Sequence, residues 1–336
     1  MAYRITLIPG DGIGPEVVEA AQKILAETGI EIEWEVHHAG IEVARLTGAP
    51  LPASVIEAVR KNRIALKGPV GTPIGGGFKS VNVTLRQTLD LYANVRPVRS
   101  LPNVDPRFGE VDLVIVRENT EGLYAGLELM IMPGVAQSIK LTTERSSTRI
   151  AEFAFRYAEQ NKRPRVTIVH KANILKISDG LALDCARKVG KLHPGTELAE
   201  MIVDAAAMTM VRDPNRLGVL VTENLYGDIL SDLGAGLVGG LGIVPGANIG
   251  DEAAIFEAVH GSAPDIAGKG IANPTAVVQS SVMMLRHLGE HARADLIEKA
   301  LTEVYRHGEV RTKDLGGSAS TGEFTAAVCA EMKRIG

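Results

Sequence analysis

Thr222-Glu223-Asn224-Leu225-Tyr226-Gly227-Asp228-Ile229-Leu230-Ser231-Asp232 joins an apolar run to the opening of a helix. The run before it, Arg216 to Thr222, suits a buried strand. The segment therefore lies just past a strand's C-terminal end, where open α/β sheets place ligands. After it, Ile229, Leu230, Leu233, Leu237 and Val238 form an apolar stripe, and Gly239-Gly240 ends the helix. Asp228 and Asp232 are i and i+4 on one face. Two readings stand for that pair: an acidic turn of a solvated helix, or oxygen ligands for a hard divalent cation.

A chain of 336 residues, 45% hydrophobic, can bury a large core, and its size suggests two lobes. No apolar run reaches the roughly 18 residues of a membrane span, and Met1 to Thr6 enters a strand pattern instead of a signal peptide. A soluble cytoplasmic protein is expected. Cys185 and Cys329 are too few for a disulfide framework or a thiolate metal site. A formal charge of -4 with 4% aromatic residues argues against a nucleic-acid surface.

At the N-terminus, Ile5 to Pro9 reads as a strand, and Gly10-Asp-Gly-Ile-Gly-Pro15 leads into a helix. The glycine spacing is GxGxG followed by proline and not GxGxxG, and no acidic residue ends a second strand about 20 residues on, so the Rossmann fingerprint is weak and a structural strand-turn-helix is the contrasting reading. Helices are expected over Leu51–Asn62, Val81–Leu91 and Ser146–Glu159, and strands over Ile30–His37, Ala65–Val70, Val111–Val116 and Arg165–His170. Leu127 to Leu141 reads as a hairpin arm, and Glu200 to Asp204 as a strand ending in a third carboxylate. Gly75 to Ser80 reads as a flexible loop closed by the N-cap Ser80, and a helix N-terminus welcomes an anion. Asn82 and Arg86 share a face of the next helix, while Arg96 and Arg117 lie in or after strands. Guanidinium groups are well shaped to grip carboxylates in pairs of hydrogen bonds. Lys171, at a strand's end, suits a general base if desolvated or set near a metal. His260 to Gly268 is too rich in turn formers for regular structure.

Six ordered motifs, Gly10-Asp-Gly-Ile-Gly-Pro15, Tyr92-Ala-Asn-Val-Arg-Pro97, Arg117-Glu-Asn-Thr-Glu-Gly122, His170-Lys-Ala-Asn173, Asn224 to Asp232 and His260-Gly-Ser-Ala-Pro264, resemble the β-decarboxylating dehydrogenases of 2-hydroxy acids. Isocitrate, homoisocitrate, 3-isopropylmalate and tartrate dehydrogenases make up that family. The resemblance implies an α/β, two-lobed isocitrate/isopropylmalate dehydrogenase-like fold that is not a Rossmann fold. Residues 1–98 and 250–336 would form the large domain, and residues 99–249 a small dimerisation domain whose hairpin arm clasps a second subunit.

Ser80-Val-Asn82-Val-Thr-Leu-Arg86 is similar to the isocitrate pattern, in which serine and asparagine hydrogen-bond a third carboxylate. A buried Ser/Asn pair facing an alkyl group would instead lose hydrogen bonds at roughly 1–3 kcal/mol each. The implied substrate is isocitrate, oxidised by NAD and decarboxylated to 2-oxoglutarate, with homoisocitrate or 3-isopropylmalate as alternatives. By the same resemblance, Ser80, Asn82, Arg86, Arg96 and Arg117 bind the substrate, and Tyr124 and Lys171 are catalytic. Asp228 and Asp232, with Asp204 of a neighbouring subunit, hold Mg2+ or Mn2+. Thr72, His260, Gly261, Ala263, Asp265, Ile266 and Asn273 contact NAD, with Asp265 facing the adenosine ribose. A homodimer or higher homo-oligomer is implied. A regulatory subunit of a hetero-oligomer is the contrasting reading, disfavoured because the tyrosine, the lysine and the metal aspartates are all intact.

Overall fold

The computed structural model describes residues 2–72 and 79–336. The glycine loop expected over 75–78 lies outside the described residues. In chain order the strands are β1 (Tyr3–Ile8), β2 (Ile32–Val36), β3 (Ile64–Lys67), β4 (Ala93–Arg99), β5 (Asp112–Glu118), β6 (Gly122–Met132), β7 (Val135–Leu141), β8 (Arg165–His170), β9 (Glu197–Ile202), β10 (Val219–Thr222), β11 (Pro245–Ile249) and β12 (Ala254–Ala258). The helices are α1 (Gly14–Glu27), α2 (Ile41–Thr47), α3 (Ala53–Asn62), α4 (Val81–Thr88), α5 (Glu144–Gln160), α6 (Ser178–Gly190), α7 (Val203–Arg212), α8 (Asn224–Val238), α9 (Thr275–His287), α10 (His291–His307) and α11 (Thr321–Ile335).

Ten strands form one sheet in the order β2-β1-β3-β12-β11-β4-β5-β10-β8-β9. The first four run parallel, as do the last four, while β11 and β4 are antiparallel to both their neighbours. The two parallel blocks therefore point in opposite directions and meet at β11 and β4, an arrangement no Rossmann sheet has. Cross-strand partners share a face of a sheet. The register Lys67↔Glu257↔Gly246, Asn248↔Asn94↔Arg117 thus lays a polar stripe across one face of the sheet. On the opposite face, Val95, Val114, Val116, Ile168 and Val221 pack with Ile150 and Phe155 of α5.

The expected elements form, with shifted limits. Pro52 caps α3, so that helix starts later than Leu51. Helix α4 stops at Thr88 instead of Leu91, because Asp90 turns left-handed and the Leu91 amide donates back to the Arg86 carbonyl at 2.8 Å. One placement needs correcting. Asp204 does not end a strand: β9 stops at Ile202, and Asp204 sits in the first turn of α7, where an acidic side chain meets the positive end of the helix dipole. The hairpin arm is present as β6 and β7, and its Leu129, Met130, Ile131 and Met132 are exposed. Among the described residues no helix is long and apolar enough to cross a membrane.

The glycines of Gly10 to Gly14 also have a structural account. A Cβ at Gly10 would lie 2.1 Å from the Pro69 carbonyl oxygen, and one at Gly12 would lie 1.9 Å from that of Ser262. The Asp11 amide donates to Pro69 and the Ile13 amide to Ser262. This turn locks the strand β3 exit to the His260 loop, and the glycines permit that backbone approach.

Candidate active site

A cavity of about 220 Å³ opens beside the polar stripe. Ser80, Asn82 and Arg86 of α4 and its cap line it, with Arg96 of β4, Arg117 of β5, Tyr124 of β6, Asp228 of α8, and His260 and Gly261 of the following loop. Ser80 caps α4 by accepting from the Val83 amide at 3.4 Å, which fixes the helix whose next turns carry Asn82 and Arg86. The cavity thus gathers all five expected substrate ligands and one expected catalytic residue. Lys171, Asp204 and Asp232 do not line it within one chain, nor do Thr72, Ala263, Asp265, Ile266 and Asn273.

Arg117 is 1% exposed. Its Nε and Nη2 both donate to Asn224 Oδ1, at 2.9 and 2.7 Å, and its Nη1 pairs with Asp228. Gly227 makes this possible, since a Cβ there would lie 2.6 Å from Arg117 Cγ. Burial first, then the neighbouring Arg96 and Arg86, bring the Arg117 guanidinium down to about 9, still cationic at neutral pH. Arg96 donates from Nε to Asn94 Oδ1 at 2.6 Å and from Nη1 to Ser231 Oγ, and reaches Asp228 at 3.4 Å. Burial tends to push the Asp228 carboxyl up, but Arg117 and Arg96 outweigh it and hold the group below its ordinary value. The Tyr124 hydroxyl donates to Asp228 Oδ2, and burial followed by that carboxylate pushes the phenol up, so it stays protonated.

Among the described residues, Arg86 pairs in the site with Glu257 Oε1 at 3.3 Å, and its buried Nε has no partner. Glu257 also pairs with the fully buried Lys67 and accepts from Asn248 Nδ2 at 2.7 Å. Asn248 Oδ1 in turn accepts from Asn94 and Asn119, both at 2.9 Å. One hydrogen-bonded chain therefore runs from Lys67 through Glu257, Asn248 and Asn94 to Arg96. Reading the sequence missed these supporting residues. The available signal was a charged residue inside each of two apolar runs, Ala65-Leu-Lys67 and Ala254-Ile-Phe-Glu257.

Asn82 Oδ1 and His260 Nε2 are also buried without a partner among the described residues. The two open ends of Asn82 and Arg86 are where a polar ligand finds unspent hydrogen bonds. His260 Nδ1 lies 3.0 Å from the Gly261 carbonyl, and burial lowers its basicity. Asp265 is exposed on a turn closed by the Ile266 amide donating to Ala263 at 3.1 Å, and Thr72 Oγ1 lies 3.3 Å from Ser80 Oγ. Asn273 donates to Asp314 Oδ2 at 3.1 Å.

Asp228 and Asp232 are one turn apart on α8, and Asp232 is exposed, its carboxyl raised by partial burial. Carboxylate oxygens are the donors a hard divalent cation takes, so the pair fits such an ion. Asp204 is engaged elsewhere, with Lys171 Nζ. Among the described residues, the group with three possible ligand atoms within 4.8 Å is Glu303, His307 and Glu331, whose carboxylates already pair with Arg306 and Arg334. One chain therefore supplies two of the three expected metal carboxylates together.

A family model described as isocitrate/isopropylmalate dehydrogenase matches residues 4–328. The chain belongs to this family. A catalytic subunit of mitochondrial NAD-dependent isocitrate dehydrogenase from Arabidopsis thaliana is 51% identical over 96% of this chain and 87% of its own length. The chloroplastic 3-isopropylmalate dehydrogenase of Solanum tuberosum is also 51% identical, over 91% of this chain and 86% of its own. The crystal structure of isocitrate dehydrogenase from Methylococcus capsulatus superposes with a TM-score of 0.96 at 51% identity, covering 99% of this chain and all of that one. The family's fold is thus this chain's fold, and the family is one of dehydrogenases. Equal identity to relatives of two specificities leaves substrate choice to the cavity itself.

Proposed function

We propose that this protein oxidises isocitrate with NAD and decarboxylates it to 2-oxoglutarate and CO2, as at least a homodimer that uses Mg2+ or Mn2+. The observation that carries the reading is the cavity's set of cations and open polar ends. Arg86, Arg96 and Arg117 converge on it, and Asn82 and Arg86 each present a buried polar atom that has no partner among the described residues. Three carboxylates match that set, with Ser80 and Asn82 left for the third.

Arg86, Arg96 and Arg117 orient the substrate by its carboxylates, so that positioning comes from three separate elements. Asp228 and Asp232, with Asp204 of a second copy, would hold the divalent cation, which would supply Lewis acidity to the substrate when bound, and bound NAD would supply the hydride acceptor. Lys171 of the second copy removes the hydroxyl proton. Loss of CO2 then leaves an enolate, and Tyr124, neutral at physiological pH, donates a proton to its C3 carbon. Arg117 and Tyr124 both hydrogen-bond Asp228, so one carboxylate sets the position of the guanidinium and of the phenol. The exposed apolar arm supports the dimer, since an unpartnered face of Leu129 to Met132 is costly in water.

Steady-state rates of the purified chain with isocitrate, homoisocitrate, 3-isopropylmalate and tartrate test the reading. A higher kcat/KM for another acid overturns the substrate assignment. Homoisocitrate is the second candidate, because one methylene is discriminated by only about 1–3 kcal/mol. Activity that appears only after a different chain is added would establish a regulatory subunit instead.

A further inference from the structure

Asp179, in the first turn of α6, is 3% exposed and lies outside the cavity, yet it touches the arm, the turn that carries Lys171, and α8. Its Oδ1 accepts from Lys140 Nζ at 2.6 Å, near the end of β7 in the arm. Its Oδ2 accepts from the backbone amide of Lys171 at 2.7 Å and lies 3.3 Å from the hydroxyl of Tyr226 on α8. Lys140 also lies over the Tyr226 ring, 4.6 Å from its centroid, and 3.9 Å from Glu223, the residue that caps α8. The Lys171 carbonyl accepts from the Ile174 and Leu175 amides, so residues 171–175 form a tight turn. Its leading amide has Asp179 as its acceptor.

From this geometry we infer that Asp179 is a positioning residue for Lys171. It holds the turn that presents the lysine and ties that turn through Tyr226 to the helix bearing Asp228. The inference rests on the role proposed above for Lys171. A carboxylate whose task was only to neutralise Lys140 would not need the Lys171 amide. A misplacement of about 1 Å at a reacting group costs on the order of a hundredfold in rate. A buried charge left alone is strongly destabilising, so charge and position must be separated in the test.

The test compares Asp179→Asn, Asp179→Ala and the double variant Asp179→Ala with Lys140→Met, on whichever of the four acids the wild type turns over fastest. The double variant leaves no lone buried ammonium and is the safeguard against failure to fold. Asn retains an acceptor for the Lys171 amide. The expected result is a kcat ten- to a hundredfold down in both Ala variants, KM for NAD within twofold of wild type, and kcat in Asn recovered to within about fivefold. Amide hydrogen exchange supplies a readout independent of turnover: the segment containing Lys171 to Leu175 should lose protection in the Ala variants and keep it in Asn. Equal losses of kcat in Asn and Ala, wild-type kcat in the double variant, or unchanged protection at Lys171 would each overturn the inference. A wild type inactive on all four acids would refute the proposed function instead, and the exchange result would still decide the role of Asp179.

Discussion

Tyr124 donates its phenolic hydrogen to Asp228, the same carboxylate that Arg117 grips from the other oxygen. The phenol is thereby kept protonated by burial and by a neighbouring negative charge. Tyr124→Phe should lower kcat for isocitrate by about a hundredfold or more, the usual yield of one general acid, with KM changed far less. Rates measured at saturating NAD and metal check this. A kcat within threefold of wild type would remove Tyr124 from the chemistry.

Glu257 gives a pH dependence of stability with a definite sign. Burial raises its carboxyl, but Lys67 and Arg86 more than compensate and hold it down to about 2 from an ordinary 4.5. A depressed value contributes stability above the unfolded value that is lost as pH falls toward the folded one. Of this, about 2 kcal/mol should disappear between pH 5 and pH 3. Denaturant melts of wild type and of Lys67→Met with Glu257→Leu should show the shallower acid slope in the double variant. Glu257→Gln alone should cost about 3–5 kcal/mol at pH 7, because it strands Lys67.

Asn82→Leu should cost isocitrate turnover roughly 1–3 kcal/mol, a factor of about five to 150 in kcat/KM. The same substitution should leave 3-isopropylmalate less affected, since the new side chain suits an alkyl group. A parallel loss for both acids would show that Asn82 supports the helix and does not select the substrate.

Asp265 is exposed beside Ile266 on the turn that follows His260. An aspartate facing the ribose accepts its hydroxyls and repels a 2'-phosphate, so NAD should be preferred over NADP by on the order of a hundredfold or more in kcat/KM. Asp265→Lys with Ile266→Tyr should move that ratio toward NADP. A double variant with an unmoved ratio would mean that this turn does not read the ribose.

Lys171 pairs with Asp204 and lies apart from the cavity of its own chain. If both serve a second copy, mixing inactive Lys171→Met with inactive Asp228→Asn protein should restore part of the activity once subunits exchange. Demonstrated exchange without recovery would place each site within one chain.

Arg117 and Asp228 are legible in the sequence because each comes just after a run of apolar residues, Arg117 near the C-terminal end of β5 and Asp228 past that of β10, where side chains reach a sheet's ligand-binding side. Lys67 and Glu257 were not, since their meeting depends on a parallel register between strands far apart in the chain. Asn94 was closer to legible: it precedes Arg96 by two residues, so the strand period puts both on one face. The two-turn helix α2, bracketed by Gly40 and Gly48, lies in a stretch between expected elements where no periodic pattern is long enough to mark it. Asp204 was misplaced by two residues of strand, where Val203 to Ala207 is equally compatible with a helix.

The seam at β3, β12, β11 and β4 has a consequence for how the chain is made. During synthesis from the N-terminus, Ala65 and Leu66 emerge early, but their neighbours Ile255 and Phe256 arrive only after three-quarters of the chain. Until then one edge of β3 and one edge of β4 carry unpaired backbone groups, and Lys67 has no carboxylate beside it. The block β5, β10, β8 and β9 with α5 to α8 is complete before that moment. On the ribosome the middle of the chain should therefore become protease-resistant before the beginning, which waits with open edges, exposed to misassociation, for residues 245–258 to close the sheet.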